Sequence, residues 1–311
     1  MTETGALAAY RHCERIAAAH GRTYFLAARL LSPDRRRAVH ALYAFAREVD
    51  DIVDGGAKDA AAQLDRIERR LLDRLDAGDP GDPGEPVLFA VTDTILRYGI
   101  ARGHFRVFLD SMRMDVPGSP LFRDRYPTMA DLRVYMRGSA AAIGLQLLPV
   151  LGTTVPLAEA EPPAAALGEA FQLTNFLRDI AEDLDRDRVY LPADDWTAFG
   201  VDPALLTHCR RTGRTDPRVR RALSHFIALT RDLYRAALPG IDLLHPRVRP
   251  AIRTAAALYA EILDEIERSD YTVFTHRAVV PNHRRLWVAA REFAGGDPRR
   301  PGLGAVTTGN K

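Results

Sequence analysis

Cysteine is nearly absent from this chain: Cys13 and Cys209 are the only two among 311 residues. Two lone thiols build neither a disulfide framework nor a zinc site, and they suit a reducing cytoplasm. An excess of charge of one sign is missing as well. The formal net charge is +2, and the many arginines are interleaved with acids, so no basic stripe forms to grip nucleic acid. The sequence has no run approaching the ~18 uninterrupted apolar residues of a membrane span. Its first residues lack the basic-then-apolar pattern of a signal peptide. Peripheral contact with a membrane surface stays open. Three motifs are also missing: the Gly-x-x-x-x-Gly-Lys of a P-loop, the Asp-x-Asp-x-Asp-Gly of an EF-hand and the Glu-x-x-His of a di-iron bundle. Each absence removes a class of phosphate or metal chemistry.

Helical signals fill the chain. Ala, Leu and Arg abound, and alternating β-branched runs are scarce. The pattern predicts helices over 6–20, from Pro33 to Gly55, and over 58–77, 87–98, 104–115 and 129–151. Others are expected over 164–185, 216–237, 246–268 and 281–293. Ser32 stands as the N-cap before Pro33, and Pro149 should bend or end its helix. The Pro- and Gly-rich stretch 78–86 must be a loop, as should 117–127 and 155–163. This is an all-α chain read as one domain over 1–294, with 295–311 having the composition of a disordered tail.

Two of these helices carry acids on one face. In the first, Tyr43, Arg47, Asp50 and Asp54 fall within roughly a 60° arc; in the second, Gln172, Asn175, Asp179 and Asp183 fall within roughly 80°. Carboxylates four apart on a helix are ordinarily a solvated surface. Here the remaining positions are apolar (Leu42, Phe45 and Val49 in one, Leu173, Phe176 and Leu177 in the other), so both helices should be largely buried. Buried carboxylates need cations between them. Mg²⁺ prefers hard oxygen ligands and is commonly shared with substrate phosphates, and Arg47 and Arg178 suit bidentate phosphate contact. The residues themselves point to an enzyme that grips a diphosphate.

The runs Tyr43–Asp54 and Gln172–Pro192 resemble the two signature segments of the squalene/phytoene synthase family. The segment 135–144 resembles its small-residue segment, His20–Thr23 with Leu30–Pro33 its N-terminal one and Tyr259–Ile266 with Tyr271 its C-terminal one, so the likeness covers about 10–290. It implies an all-α isoprenoid-synthase-type helical bundle around a central cavity. Asp50, Asp54, Asn175, Asp179 and Asp183 would bind Mg²⁺, with Mn²⁺ as a possible substitute. Arg47 and Arg178 would contact diphosphate oxygens. Tyr43, Gln172, Tyr259 and the turn His20, Gly21, Arg22, Thr23 would complete the substrate pocket. Asp50, Asp54, Asp179 and Asp183 are thus the catalytic acids, with Tyr135 a candidate phenol beside the reacting carbons. Arg188 and Tyr190 would close over the diphosphates, and Asp51, pointing about 100° away from Asp50, would support the site.

The reaction implied is head-to-head condensation of two prenyl diphosphates through a cyclopropyl diphosphate, without NADPH. The stretch from His20 to Leu31 is most similar to bacterial members that make phytoene from two geranylgeranyl diphosphates. The alternative is a C30 product from farnesyl diphosphate. Small residues at 138–142 would permit a long tunnel for the tail. Gly21 departs from the Ser that relatives often carry. His40 and His104 read as core or surface residues. A class I terpene cyclase would use one diphosphate, and the second signature argues against it. A catalytically dead scaffold would have lost the acids, and all five expected ligands are present. The sequence sets no oligomeric state.

Overall fold

Helices and their connecting loops make up the described residues of this computed structural model, 3–281 with 284, 285, 287 and 288; no strand occurs among them. The side chains of Arg22 and Thr23, much of the helix expected over 281–293, and the tail 295–311 lie outside what is described. In chain order the helices are α1 (Glu3–His20), α2 (Arg22–Ala28), α3 (Pro33–Asp54), α4 (Ala60–Ala77) and α5 (Pro86–Tyr98). There follow α6 (Arg102–Met114), α7 (Met129–Met136), α8 (Ala142–Leu151), α9 (Leu157–Arg178) and α10 (Ile180–Asp185). The last are α11 (Ala193–Ala198), α12 (Pro203–Thr212), α13 (Pro217–Ala237) and α14 (Arg249–Arg268). The all-α reading holds.

Local chemistry explains most of the boundaries. Pro33 opens α3 and Asp34 sits in its first turn, although the Ser32 side chain makes no capping bond. Thr128 and Asp131 close a reciprocal capping box at the start of α7, a feature worth about 1 kcal/mol. Gly78 ends α4 with φ 64°.

Three of the expected elements differ in extent, and α2, α11 and α12 form where no helix was expected. α9 begins at Leu157 and runs through Pro162 and Pro163, where a loop was expected. The two prolines strip amide partners from the carbonyls of Ala158 and Glu159, which belong to exposed residues and can turn to water. The helix expected over 164–185 is broken at Asp179 (φ −102°, ψ 10°), with α10 resuming after it. The helix over 129–151 is interrupted by a π-turn at Arg137–Ala141, and it continues through Pro149 to Leu151. At this turn the Ser111 hydroxyl of α6 donates to the Tyr135 carbonyl at 2.8 Å, and a Cβ on Gly138 would lie 2.0 Å from the Val107 carbonyl oxygen. Helix α6 is thus packed into the backbone at this point, and the ladder loosens around it.

Met129–Leu151 is also long and apolar enough to cross a membrane by composition, with a mean hydropathy of 1.3 over its best window. Counting only uninterrupted apolar residues misses it. More than half of that window is buried inside the bundle, against α6 and α9, which is where a core helix places its apolar side chains. Helix α9 packs on α8, α13 and α14, and α3 packs on α1, α5 and α8. The two acid-bearing helices therefore share α8 as a neighbour.

Candidate active site

The C-terminal turns of α3 and α9, with α10, bring the acids together. Asp50 is half-buried on α3, and its carboxyl is pushed up to about 7, first by burial, then by Asp54, with Arg47 opposing and Asp115 adding to the rise. Asp183 on α10 is pushed up to about 8, again by burial first and then by Asp179, against Arg186 and Arg188. Asp115 appears in both environments. It raises both carboxyls, and Arg188, which bonds the Asp115 carbonyl and pairs with Asp54, ties the two acidic faces together beside it.

Each face is already wired to arginine. Asp54 pairs with Arg186 at 3.2 Å and Arg188 at 3.4 Å. Asp179 takes two guanidinia: Arg178 at 2.7 and 2.5 Å, and Arg277 at 2.8 and 3.0 Å. Arg47 pairs with Asp51, which gives Asp51 a definite task, holding the arginine of the first face. Arg178 also bonds Tyr259, and its basicity is driven upward by Asp179 against the cost of burial. No group of three His, Cys, Asp or Glu side chains among the described residues is gathered tightly enough to ligate a metal, and Asp51, Asp54 and Asp179 pair with arginines. Among the polar atoms buried without a partner in the same region are Asn175 Oδ1 and Arg47 Nε. The Asn175 amide nitrogen reaches Gln172 at 3.4 Å, leaving its oxygen free to accept a cation.

Beneath the acids lies an aromatic nest. Tyr135 is 3% exposed and donates its hydroxyl to Asp115 Oδ2 at 2.6 Å; Tyr190 donates to Oδ1 at 3.0 Å. Arg188 donates to the Asp115 backbone carbonyl at 2.8 Å. The Tyr190 ring stacks on Phe176 with centroids 4.4 Å apart. Tyr126 completes the nest against Tyr135 and Tyr190. Arg188 and Tyr190 are thus interior residues of the site. Burial pushes the Tyr135 phenol far above its ordinary range, with Asp115 reinforcing the shift, so it is a neutral hydroxyl here.

A second group of rings sits on the other side of α9. Tyr259 lies 4.5 Å from Phe171 and 5.1 Å from Tyr24 between ring centroids, and Tyr24 lies 6.1 Å from Tyr43. Burial lifts the Tyr43 phenol to about 12, with Tyr259 adding and Arg47 opposing. A Cβ on Gly21 would stand 2.7 Å from the Tyr43 ring, so glycine is what lets that ring lie against the α1–α2 turn. His20 is exposed beside it. His40 is a core residue, its ring stacked on Phe25 at 5.4 Å, and His104 is half-buried.

Below these rings an apolar cavity runs between α2, α8, α9 and α14. Tyr24, Phe171, Gln172 and Asn175 line it at the end nearest the acids, and Leu148, Leu151 and Ala160 line its far end. Of the small residues expected to make room for a tail, Ser139 and Ala140 line the cavity; Gly138 is taken up by the contact with α6.

The sequence reading missed Asp115, Tyr24, Arg186 and Arg277. Arg277 comes from beyond α14, and only the fold could place it. Asp115 did carry a signal. It stands at the C-terminus of α6, where an acid opposes the helix dipole and needs a reason to be there.

A family model described as squalene/phytoene synthase matches residues 17–284. A phytoene synthase from Arthrospira platensis is 36% identical over 290 residues, 89% of this chain and 90% of the relative. A 15-cis-phytoene synthase from Synechococcus elongatus is 37% identical over the same shares of both chains. The crystal structure of a dehydrosqualene synthase in complex with ligand matches with a TM-score of 0.84 at 29% identity, covering 93% of this chain and 96% of that one. This chain belongs to the squalene/phytoene synthase family.

Proposed function

We propose that this chain joins two geranylgeranyl diphosphates head to head, through a cyclopropyl diphosphate, to phytoene. One observation carries the reading: two acidic helix ends and their arginines converge at the mouth of an apolar cavity. The high identity to phytoene synthases over most of the chain supports the C20 substrate. The donors of Asp50, Asp54, Asn175, Asp179 and Asp183 are all oxygens, and the unpartnered, buried Asn175 Oδ1 fits a hard cation. These residues would hold Mg²⁺, or Mn²⁺ in its place, which supplies positive charge against a departing diphosphate.

The chain's own residues do the rest. Arg47 and Arg178 exchange their carboxylate partners for diphosphate oxygens and stabilise the charge that develops there. Tyr43, Gln172 and Tyr259 border the first carbons of the tail. The apolar walls exclude water, which would otherwise quench an allylic cation before the second substrate's double bond captures it. Asp115 fixes Tyr135 and Tyr190, so that any electron-rich contact they make with the cation is held in place. Two diphosphates and two protons leave in the sequence, and no hydride enters. No NADPH is consumed.

The test is incubation of the purified protein with Mg²⁺ and C20 diphosphate, without NADPH, and analysis of the extracted hydrocarbon. A C40 hydrocarbon with a conjugated central triene is expected. A C30 hydrocarbon made from C15 diphosphate alone would replace this reading with the squalene-type alternative. Asp50→Ala and Asp179→Ala should each lower kcat by about 10³-fold with an unchanged far-UV circular dichroism spectrum. Unaltered turnover in either would remove the acids from the mechanism.

A further inference from the structure

A second pocket lies behind the π-turn, with walls from α6, α7, the turn itself, α8 and α9. Its volume is about 460 Å³, within the range that holds a small molecule. No residue lines both this pocket and the catalytic cavity; they use opposite faces of α8 and α9. Val107, Leu145 and Ala165 give it apolar walls, and Arg133, Arg137 and Glu169 supply its charge.

The charges do not balance. The Arg137 amide bonds the Arg133 carbonyl, so the two arginines stand one helical turn apart and are neighbours on the surface. Arg133 has one acid near it, Glu169 at 3.9 Å, too far for a hydrogen bond. Arg137 has no hydrogen-bond or ion-pair partner among the described residues. Two guanidinia against one carboxylate leave a net positive charge, and a pair of planar forks at this spacing suits the oxygens of one phosphate. Such a phosphate competes with Glu169 for Arg133 and with nothing for Arg137. The apolar walls suit a hydrocarbon segment attached to it.

The pocket also touches the catalytic cavity through shared backbone. Arg137 and Ala141, the two ends of the π-turn, line the pocket, whereas Ser139 and Ala140 between them line the cavity. Helix α9 meets the turn backbone to backbone: a Cβ on Gly168, the residue before Glu169, would lie 2.5 Å from the Ala140 carbonyl oxygen. A ligand held by Arg137 therefore pulls on a turn whose inner side is the cavity wall, and π-turns recur at functional sites.

We propose that this pocket is an effector site for a phosphate-headed amphiphile, coupled to the catalytic cavity through the π-turn. The activity readout rests on the condensation proposed above; the binding readout does not. Hexyl phosphate is titrated calorimetrically into the full chain, with inorganic phosphate and hexanol as the two halves of the probe. Arg137→Ala should weaken hexyl phosphate by about 10-fold, the loss of one charge-assisted contact. Glu169→Gln should tighten it by about threefold, since Arg133 is then uncontested. Each half alone should bind more weakly than hexyl phosphate. Dihexanoyl phosphatidic acid and farnesyl monophosphate form two further arms, and the one whose affinity depends more on Arg137 identifies a lipid headgroup or a soluble prenyl phosphate as the source. In turnover, saturating hexyl phosphate should change the KM for C20 diphosphate by at least ~5-fold in wild type. The change should be absent in Arg137→Ala, whose basal kcat and KM stay those of a folded enzyme. Competition at the acids alone would raise KM equally in both and overturns the effector role, as does Arg137-dependent binding that leaves KM unmoved. Equal affinity in wild type, Arg137→Ala and Glu169→Gln overturns the site. A wild type that makes no C40 hydrocarbon overturns the condensation and leaves the calorimetric result standing.

Discussion

Asp115 is the residue on which the two halves of the site hang. It is 4% exposed and accepts both tyrosine hydroxyls, and burial raises its carboxyl while Tyr135, Arg188 and Tyr190 hold it down. Removing it strands two buried phenols and takes away the anion that faces Arg188. Asp115→Ala should therefore cost about 3 kcal/mol of stability or more, and Tyr190→Phe about 1 kcal/mol, since that change removes only one donor. Chemical denaturation measures both. If the nest positions Tyr135 for the reaction, Asp115→Asn should lower kcat by more than it raises KM. Equal stability of Asp115→Ala and wild type would show that the nest is not held by this carboxylate. The sequence offered Asp115 only as the last residue of an expected helix. A lone acid has no period to betray it, whereas Asp50 and Asp54 announce themselves by their spacing.

Element by element, the period of the apolar residues determined most of what could be read. The faces of α3 and α9 were legible because 3.6-residue spacing puts their acids in line. The missed α12 was legible too: Asp202 and Pro203 form a start signal like Ser32 and Pro33, and the Asp202 side chain accepts from the Leu205 amide at 2.7 Å. The break at Asp179 was not legible, because it arises where α9 meets α10 around two arginines, one of them from the far end of the chain. The meeting of α3 with the α1–α2 turn was likewise invisible before folding, and it makes a prediction. Gly21→Ala places a methyl in the Tyr43 ring, which must leave its present position. The expected result is a raised KM for the diphosphate, of the order of tenfold or about 1.4 kcal/mol, with the melting temperature little changed. Steady-state kinetics alongside a melting curve checks it; an unaltered KM would mean that Tyr43 does not need its present position.

For the molecule as a whole, the raised acids connect pH, stability and metal. Asp50 titrates at about 7 and Asp183 at about 8 in the folded chain, against roughly 3.9 when unfolded. An acid whose folded value is raised binds its proton more tightly in the folded state. Between about pH 4 and pH 8 the folded chain holds more protons than the unfolded one, so stability falls as pH rises through that window. The cost is absent below it and complete above it. The exposed acids Asp59, Asp185 and Asp216, which are shifted downward by their hydrogen-bond partners, contribute the opposite slope only below the ordinary carboxylate range. The double variant Asp50→Asn/Asp183→Asn should therefore melt above wild type by more at pH 8 than at pH 5.5 in the absence of metal, each kcal/mol moving Tm by about 2 °C in a chain of this size. Mg²⁺ should do the reverse of what the acids cost. Ligation needs the ionised carboxylates, so the ion should raise the wild-type Tm at pH 8 and barely do so at pH 5.5, and the double variant should not respond at either pH. A Mg²⁺ stabilisation independent of pH, or one that survives in the double variant, would place the ion somewhere other than between these two faces.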